Sequence, residues 1–145
     1  APGAGIYSAA MTARTYATCL ERARARLVAG ERVIVDANLR SDAVRRPFFE
    51  LADALGVPIV FLICEVDEAT AIARLAARVD DASDADATIF RSATGEWEAL
   101  ADDLAARTVT IDASGPCAAT RAAALRALAA VGLVEAAAAE ATRRG

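Results

Sequence analysis

The run Arg32-Val33-Ile34-Val35-Asp36 is a short β-branched segment that lies between two helical patterns. Residues 9–29 before it and residues 41–55 after it repeat apolar side chains at helical spacing, and each pattern ends at a glycine. Short β-branched runs between helices are typical of buried parallel strands. The segment therefore predicts a strand of an α/β fold.

The rest of the chain continues this alternation of strands and helices. Two further strands are predicted at Val57–Ile63 and Thr108–Asp112, and the predicted helices run from Asp67 to about Arg78, from Glu96 to Arg107, from Cys117 to Ala130 and from Leu133 to Arg144. Strands separated by helices favour right-handed βαβ crossovers and a parallel sheet. We expect one domain over residues 1–145, with a sheet that has few strands for its class.

The composition excludes several kinds of chemistry. The 145 residues contain no His, and all 16 basic residues are Arg, so Ser-His-Asp catalysis, Schiff-base chemistry and His-containing zinc sites are excluded within this chain. A net charge of −4 disfavours nucleic acid as a partner. No apolar run is long enough to span a membrane, and three widely separated cysteines favour a reducing, cytoplasmic location.

Asp36 is a candidate functional residue because it ends the first predicted strand. In open α/β sheets, ligands bind beyond the carboxyl ends of the strands. A carboxylate there can hold Mg²⁺ through water, or it can accept a proton from a substrate hydroxyl. The alternative is that Asp36 only caps the turn between strand and helix.

Arg74 and Arg78 form a second candidate site, because their i, i+4 spacing places both on one helix face. Guanidinium groups offer planar sets of donors that suit phosphate oxygens. The alternatives are solvent exposure or pairing with nearby carboxylates, which are Glu65, Asp67 and the acidic residues 80–86.

Several short motifs follow one another in a familiar order. They are Gly5-Ile6-Tyr7-Ser8, Val33-Ile34-Val35-Asp36-Ala37, Arg74-Leu75-Ala76-Ala77-Arg78 and Ser83-Asp84-Ala85. Over about residues 5–130 this order resembles P-loop kinases of the zeta-toxin, gluconate-kinase and polynucleotide-kinase-like group. It resembles most the kinase domains that are fused to aminoglycoside-phosphotransferase-like domains.

The resemblance implies cofactors and a role for each candidate residue. ATP and Mg²⁺ would be the cofactors, with Mg²⁺ reached from Asp36 through water. The implied catalytic residues are Asp36, Arg74 and Arg78; those near the acceptor substrate are Tyr7, Arg40 and Arg45; and those near the nucleotide base are Asp112 and Pro116.

The sequence departs from this family at one essential point. A P-loop kinase needs Gly-x-x-x-x-Gly-Lys-[Ser/Thr], and this chain has no Lys. The resemblance therefore implies a three-layer parallel sheet that lacks its first two strands and its P-loop. Val33–Asp36 and Val57–Ile63 would then lack the strand that lies between them. A separate N-terminal segment or a second chain would complete the sheet.

Three functions fit the sequence. The first is part of an ATP-dependent phosphotransferase that acts on a hydroxyl of a small molecule, with this chain inactive by itself. The alternative is a non-catalytic α/β module for protein assembly, since the alanine-rich helix Leu133–Arg144 can pack closely against another helix. The third is another α/β enzyme that uses Asp36 as a nucleophile. A phosphatase of that kind would need a second Asp two residues later, and position 38 is Asn.

Overall fold

A computed structural model describes residues 9–77 and 97–135 of the chain. Its elements are α1 (Ala9–Val28), α2 (Asp42–Leu55), β1 (Phe61–Glu65), α3 (Glu68–Ala76), α4 (Asp102–Ala105), β2 (Thr108–Asp112) and α5 (Cys117–Ala130). Tyr7, Arg78, the acidic residues 80–86 and most of the last predicted helix lie outside the described residues. None of the described helices is long and apolar enough to cross a membrane.

The sheet within the described ranges has two parallel strands. β1 pairs with β2 in a register that runs from Phe61 opposite Thr108 to Glu65 opposite Asp112. The predicted parallel arrangement is therefore confirmed for this pair, and the fold is α/β with a small parallel sheet. Both carboxyl ends lie at the same edge, which is where this class of sheet binds ligands.

The second strand begins four residues later than the sequence predicts. The prediction placed it at Val57–Ile63, whereas the strand covers Phe61–Glu65. Its first hydrogen bond runs from the Phe61 N–H to the Arg107 carbonyl at 2.9 Å, and the Phe61 ring stacks on Trp97 with centroids 6.3 Å apart. The pairing with β2 sets the bounds of β1, and an apolar run by itself does not contain that information.

The first predicted strand, Val33–Asp36, forms no β ladder in the described part of the chain. The prediction that these residues are a strand of the parallel sheet is therefore wrong for the described part of the chain, where no neighbour accepts and donates their backbone hydrogen bonds. Val33 and Val35 are half-buried, whereas Ile34 between them is 90% exposed. The segment thus keeps the alternating burial of a strand, although it has no strand partner among the described residues.

The helix predicted at Glu96–Arg107 is also wrong in extent, since only Asp102–Ala105 is helical among residues 97–107. Glu98 cannot join a helix because its backbone is used elsewhere. Its N–H donates to the Arg40 carbonyl at 3.0 Å, and its own carbonyl accepts from Arg45 at 2.7 Å.

The described residues divide into two compact units, each with its own apolar centre. The first unit covers residues 9–57 and 98–100, and the second covers 58–77, 97 and 101–135. The buried apolar residues of the first unit are Ala23, Leu39, Phe49, Leu51 and Ala52; those of the second are Ala71, Leu104, Ile111, Ala122 and Ala127.

Glycines end both helices of the first unit, as the sequence predicts. Gly30 follows α1 with φ 79°, and Gly56 follows α2 with φ 63°. At Gly56 the backbone N–H donates to the Asp53 carbonyl, and Val57 donates to the Ala52 carbonyl. This pair of bonds requires a left-handed residue, which glycine adopts without steric cost.

Candidate functional site

Asp36 lies exposed at the end of residues 33–36, directly before a short loop of residues 37–40. We call this segment the 37–40 loop. An exposed carboxylate can meet a ligand from solvent without first breaking a buried contact. Whether it can act with precision depends on how firmly the backbone around it is held.

Three consecutive carbonyl groups of the 37–40 loop each accept a hydrogen bond from a side chain. The Tyr16 hydroxyl donates to the Asn38 carbonyl at 2.6 Å, and Arg45 Nε donates to the Leu39 carbonyl at 2.7 Å. Arg45 Nη2 also donates to the Arg40 carbonyl. The loop that follows Asp36 is therefore anchored by both α1 and α2.

Burial raises the pKa of the Tyr16 hydroxyl, and Arg40 partly offsets this effect. Tyr16 therefore stays protonated at neutral pH, as a donor to a carbonyl must. The helical pattern of residues 9–29 gives no indication of this hydrogen bond. The polar function of Tyr16 depends on a carbonyl 22 residues away, for which the sequence has no signal.

Arg45 is fully buried, at 0% exposure, and it projects from the first turns of α2. Its guanidinium binds the carbonyl of Glu98 at 2.7 Å in addition to those of the 37–40 loop. Burial lowers the pKa of this guanidinium, while Glu98 and Asp42 favour its charged form. The acceptor contact implied for Arg45 stays a prediction, and the structure gives this side chain a role in holding the loop.

Glu98 contributes a cap to α2 from 56 residues away. Its carboxylate accepts the N–H of Asp42, the first residue of α2, at 2.7 Å. Ser41 occupies the N-cap position of α2, but its side chain makes no capping hydrogen bond. A carboxylate at a helix N-terminus also interacts favourably with the helix dipole.

In the second unit, two carboxylates and a serine meet beyond the carboxyl ends of β1 and β2. Asp67, where the sequence predicts that this helix begins, caps α3 by accepting the Thr70 N–H at 2.8 Å. The Ser114 hydroxyl accepts the Asp67 N–H at 3.1 Å, and the Ser114 N–H donates to the Asp112 carboxylate at 2.8 Å. Ser114 thus links the turn after β1 to the turn after β2.

These contacts hold the pKa of both carboxyl groups below the ordinary Asp value. For Asp67 the main causes are hydrogen bonds from the Thr70 hydroxyl and N–H, and for Asp112 the main cause is the Ser114 N–H. The charge of Asp67 acts in the opposite direction on Asp112. Both groups are therefore ionised at neutral pH.

Arg74 is exposed in the last turn of α3, and its guanidinium spans the segment after β2. Nη1 donates to the Ala113 carbonyl at 2.8 Å, while Nη2 donates to the carbonyls of Ser114 at 3.2 Å and Gly115 at 3.1 Å. Three of its five N–H donors are thus used, and all three bind carbonyl oxygens.

The predicted site residues fall into two local groups. In the first unit, Asp36 precedes the 37–40 loop, which contains half-buried Arg40 and is anchored by Arg45. In the second unit, Asp112 and Pro116 flank the three carbonyls that bind Arg74, and Pro116 directly precedes α5. Tyr7 and Arg78 lie outside the described residues, so their predicted roles stay predictions.

A metal site built from side chains alone is not found in the described ranges, where no cluster of Cys, Asp and Glu could hold an ion. Mg²⁺ in nucleotide sites commonly takes only one or two carboxylates, with water and phosphate oxygens as the other ligands. Exposed Asp36 fits that limited requirement.

In a comparison with protein families, residues 2–100 match a family described as the AAA domain. The chain therefore belongs to this family, a group of P-loop NTPase-type, kinase-like domains. Domains of this kind generally bind nucleotide together with Mg²⁺. Comparisons with curated proteins and with solved structures give no match.

Proposed function

We propose that this chain is part of an ATP-dependent phosphotransferase that acts on a hydroxyl group of a small molecule. The observation that carries the proposal is the family match over residues 2–100, which includes both Asp36 and Arg74. The kinase-like class of that family agrees with the two groups of polar residues described above.

In this proposal Asp36 orients and deprotonates the acceptor hydroxyl. A general base must stay within hydrogen-bond reach of the proton that it removes. The anchored 37–40 loop supports this role, because it fixes the backbone immediately after the exposed carboxylate. Arg40 and Tyr7 would contact the acceptor, and Arg45 would act on it through the loop.

The phosphate side of the proposed reaction uses Arg74 and Arg78. Guanidinium groups stabilise the negative charge that develops on a transferred phosphoryl group. Phosphoryl-transfer enzymes accelerate the reaction mainly by such electrostatic stabilisation and by positioning the reactants. Arg74 has two N–H donors beyond those bound to carbonyls, so it can contact an anion while it keeps its loop contacts. Bound Mg²⁺·ATP would supply the phosphoryl group and neutralise part of its charge.

The phosphates of ATP also need a P-loop to bind them, and this sequence does not contain one. The chain has no Lys, so the P-loop of the proposed enzyme must come from a separate N-terminal segment or from a second chain. Residues 33–36 have no strand partner among the described residues, and Ile34 is 90% exposed, which supports a missing neighbouring strand. The base of the nucleotide would lie near Asp112 and Pro116.

The experiment that tests this proposal measures phosphoryl transfer from γ-labelled ATP. The protein is produced with the residues encoded upstream of Ala1 and incubated with a panel of sugars, aminoglycosides and nucleosides. The proposal predicts transfer to one class of hydroxyl compound. Tight nucleotide binding by the 145 residues alone would contradict it, because the phosphate site would then lie elsewhere.

A second candidate function is a non-catalytic module that assembles with another protein. Exposed Ile34 favours it as well, since an exposed apolar side chain in a segment without a strand partner among the described residues can promote association. Light scattering combined with the transfer assay separates the two candidates. An assembly module associates and transfers no phosphate, whereas the proposed kinase transfers phosphate whatever its oligomeric state.

A further inference from the structure

The contacts of Arg74 connect two segments that are far apart in sequence. Its guanidinium, in the last turn of α3, binds the carbonyl groups of three consecutive residues that follow β2: Ala113, Ser114 and Gly115. We call these three residues the 113–115 loop. The separations along the chain are 39 to 41 residues, so the contact is tertiary rather than local.

The 113–115 loop is also hydrogen-bonded to the end of β1 and to the residue that caps α3. The Ala113 N–H donates to the Glu65 carbonyl at 2.6 Å, which extends the ladder between β1 and β2 by one bond. The Asp67 N–H donates to the Ser114 hydroxyl at 3.1 Å. The 113–115 loop is thus held from β1, from the start of α3 and, through Arg74, from the end of α3.

We infer that Arg74 is a positioning residue whose guanidinium fixes the 113–115 loop against α3. A planar fork with several donors can bind three carbonyl groups at once, which a point charge cannot do with the same geometry. The loop lies between Asp112 and Pro116, the residues assigned to the nucleotide base. If the proposed function holds, Arg74 therefore fixes the 113–115 loop, which lies next to the nucleotide base, against α3, the helix that carries Arg74 to the phosphates.

Hydrogen exchange measured by NMR on the 145-residue chain tests this inference without any nucleotide. The reporters are the amides of Asp67, Ala113 and Ser114, each of which donates a hydrogen bond inside the network. Arg74→Ala should speed exchange at these amides about tenfold, because local opening no longer breaks the three carbonyl contacts. Both residues have high helix propensity, so α3 itself should be little affected.

Arg126→Ala is the matched control, since Arg126 lies exposed on α5 in the same unit. It should leave exchange at the three reporter amides unchanged. Arg74→Lys separates hydrogen bonding from charge, because Lys keeps the charge and loses the fork. We expect its exchange rates to lie nearer to those of Arg74→Ala than to those of the original chain.

Three results would overturn the inference. Reporter amides that exchange in Arg74→Ala as they do in the original chain would show that Arg74 does not hold the loop. Full recovery in Arg74→Lys would show that charge alone is responsible. Equal acceleration throughout β1, β2 and α5 would show a general loss of stability instead of a local one.

A second measurement, of nucleotide preference, tests whether the 113–115 loop serves the proposed function. Its outcome is independent of the hydrogen-exchange result. In the protein that carries its P-loop, Arg74→Ala should lower the ratio of kcat/KM for ATP to that for GTP, because the base-binding segment loses its fixed position. An unchanged ratio would remove the link to base selection. A protein that transfers no phosphate at all would contradict the proposed function and leave the exchange result standing.

Discussion

Replacing Arg45 by Met should destabilise the chain far more than the same change at Arg46. Arg45 is fully buried and binds the carbonyl groups of Leu39, Arg40 and Glu98. Met keeps the length of the aliphatic stem and removes every donor. The Leu39 and Glu98 carbonyls lose their Arg45 donor at about 1–3 kcal/mol each, whereas the Arg40 carbonyl keeps the Glu98 N–H as a donor. We therefore expect a loss of about 2–5 kcal/mol in the free energy of unfolding.

Arg46 is a suitable control because it is the next residue of α2. Its guanidinium donates to the Asp42 carboxylate at 2.7 Å and 3.2 Å, but both side chains are about one-third exposed. Partly exposed i, i+4 pairs contribute little, so Arg46→Met should cost less than about 1 kcal/mol.

Urea unfolding followed by far-ultraviolet circular dichroism measures both values, because α1 and α2 supply much of the helix. Should Arg45→Met fail to fold, Arg45→Lys supplies the test, since it keeps the charge and loses the fork of donors. Stabilities of Arg45→Met and Arg46→Met within about 0.5 kcal/mol of each other would refute the claim that Arg45 holds the 37–40 loop.

Three further predictions concern single contacts. Glu98→Ala should cost about 1 kcal/mol in urea unfolding, since it removes the cap of α2, whereas Ser41→Ala should cost much less because Ser41 makes no capping bond. Carbon-13 NMR titration should give pKa values below 3.8 for Asp67 and Asp112. Their contribution to the free energy of unfolding is present above about pH 4 and is lost as the pH falls through the pKa values of the folded protein. A normal pKa in either group would contradict the hydrogen bonds that we describe. In the protein with its P-loop, Arg78→Ala should lower turnover by roughly a hundredfold with little change in Tm, and normal turnover would exclude Arg78 from the phosphate site.

The sequence was informative where local chemistry decides the structure. β2 and α5 have the predicted bounds, Gly56 ends α2, and Asp67 caps α3. Each of these features depends on residues that are close together in the chain. The parallel pairing of β1 and β2 also follows from the alternation of strands and helices.

The sequence was less informative where a distant backbone group decides the structure. Arg45 shows this most clearly: a buried guanidinium bound to carbonyl groups has no signature, because every residue has a carbonyl. The sequence pattern likewise places Glu98 in a helix, because it gives no sign of the hydrogen bonds that Glu98 makes with Arg40 and Asp42. The start of β1 follows from its partner strand rather than from its own apolar run.

The central claim is that Asp36 acts on the acceptor hydroxyl of a phosphotransferase, and one measurement tests it most directly. Labelled phosphate transfer from ATP to the best acceptor is compared between the protein with its P-loop and its Asp36→Asn variant, which keeps the shape of the side chain and removes the base. We predict a loss of roughly a hundredfold or more in kcat, with folding and ATP binding unchanged. Equal transfer by the two proteins would contradict the account.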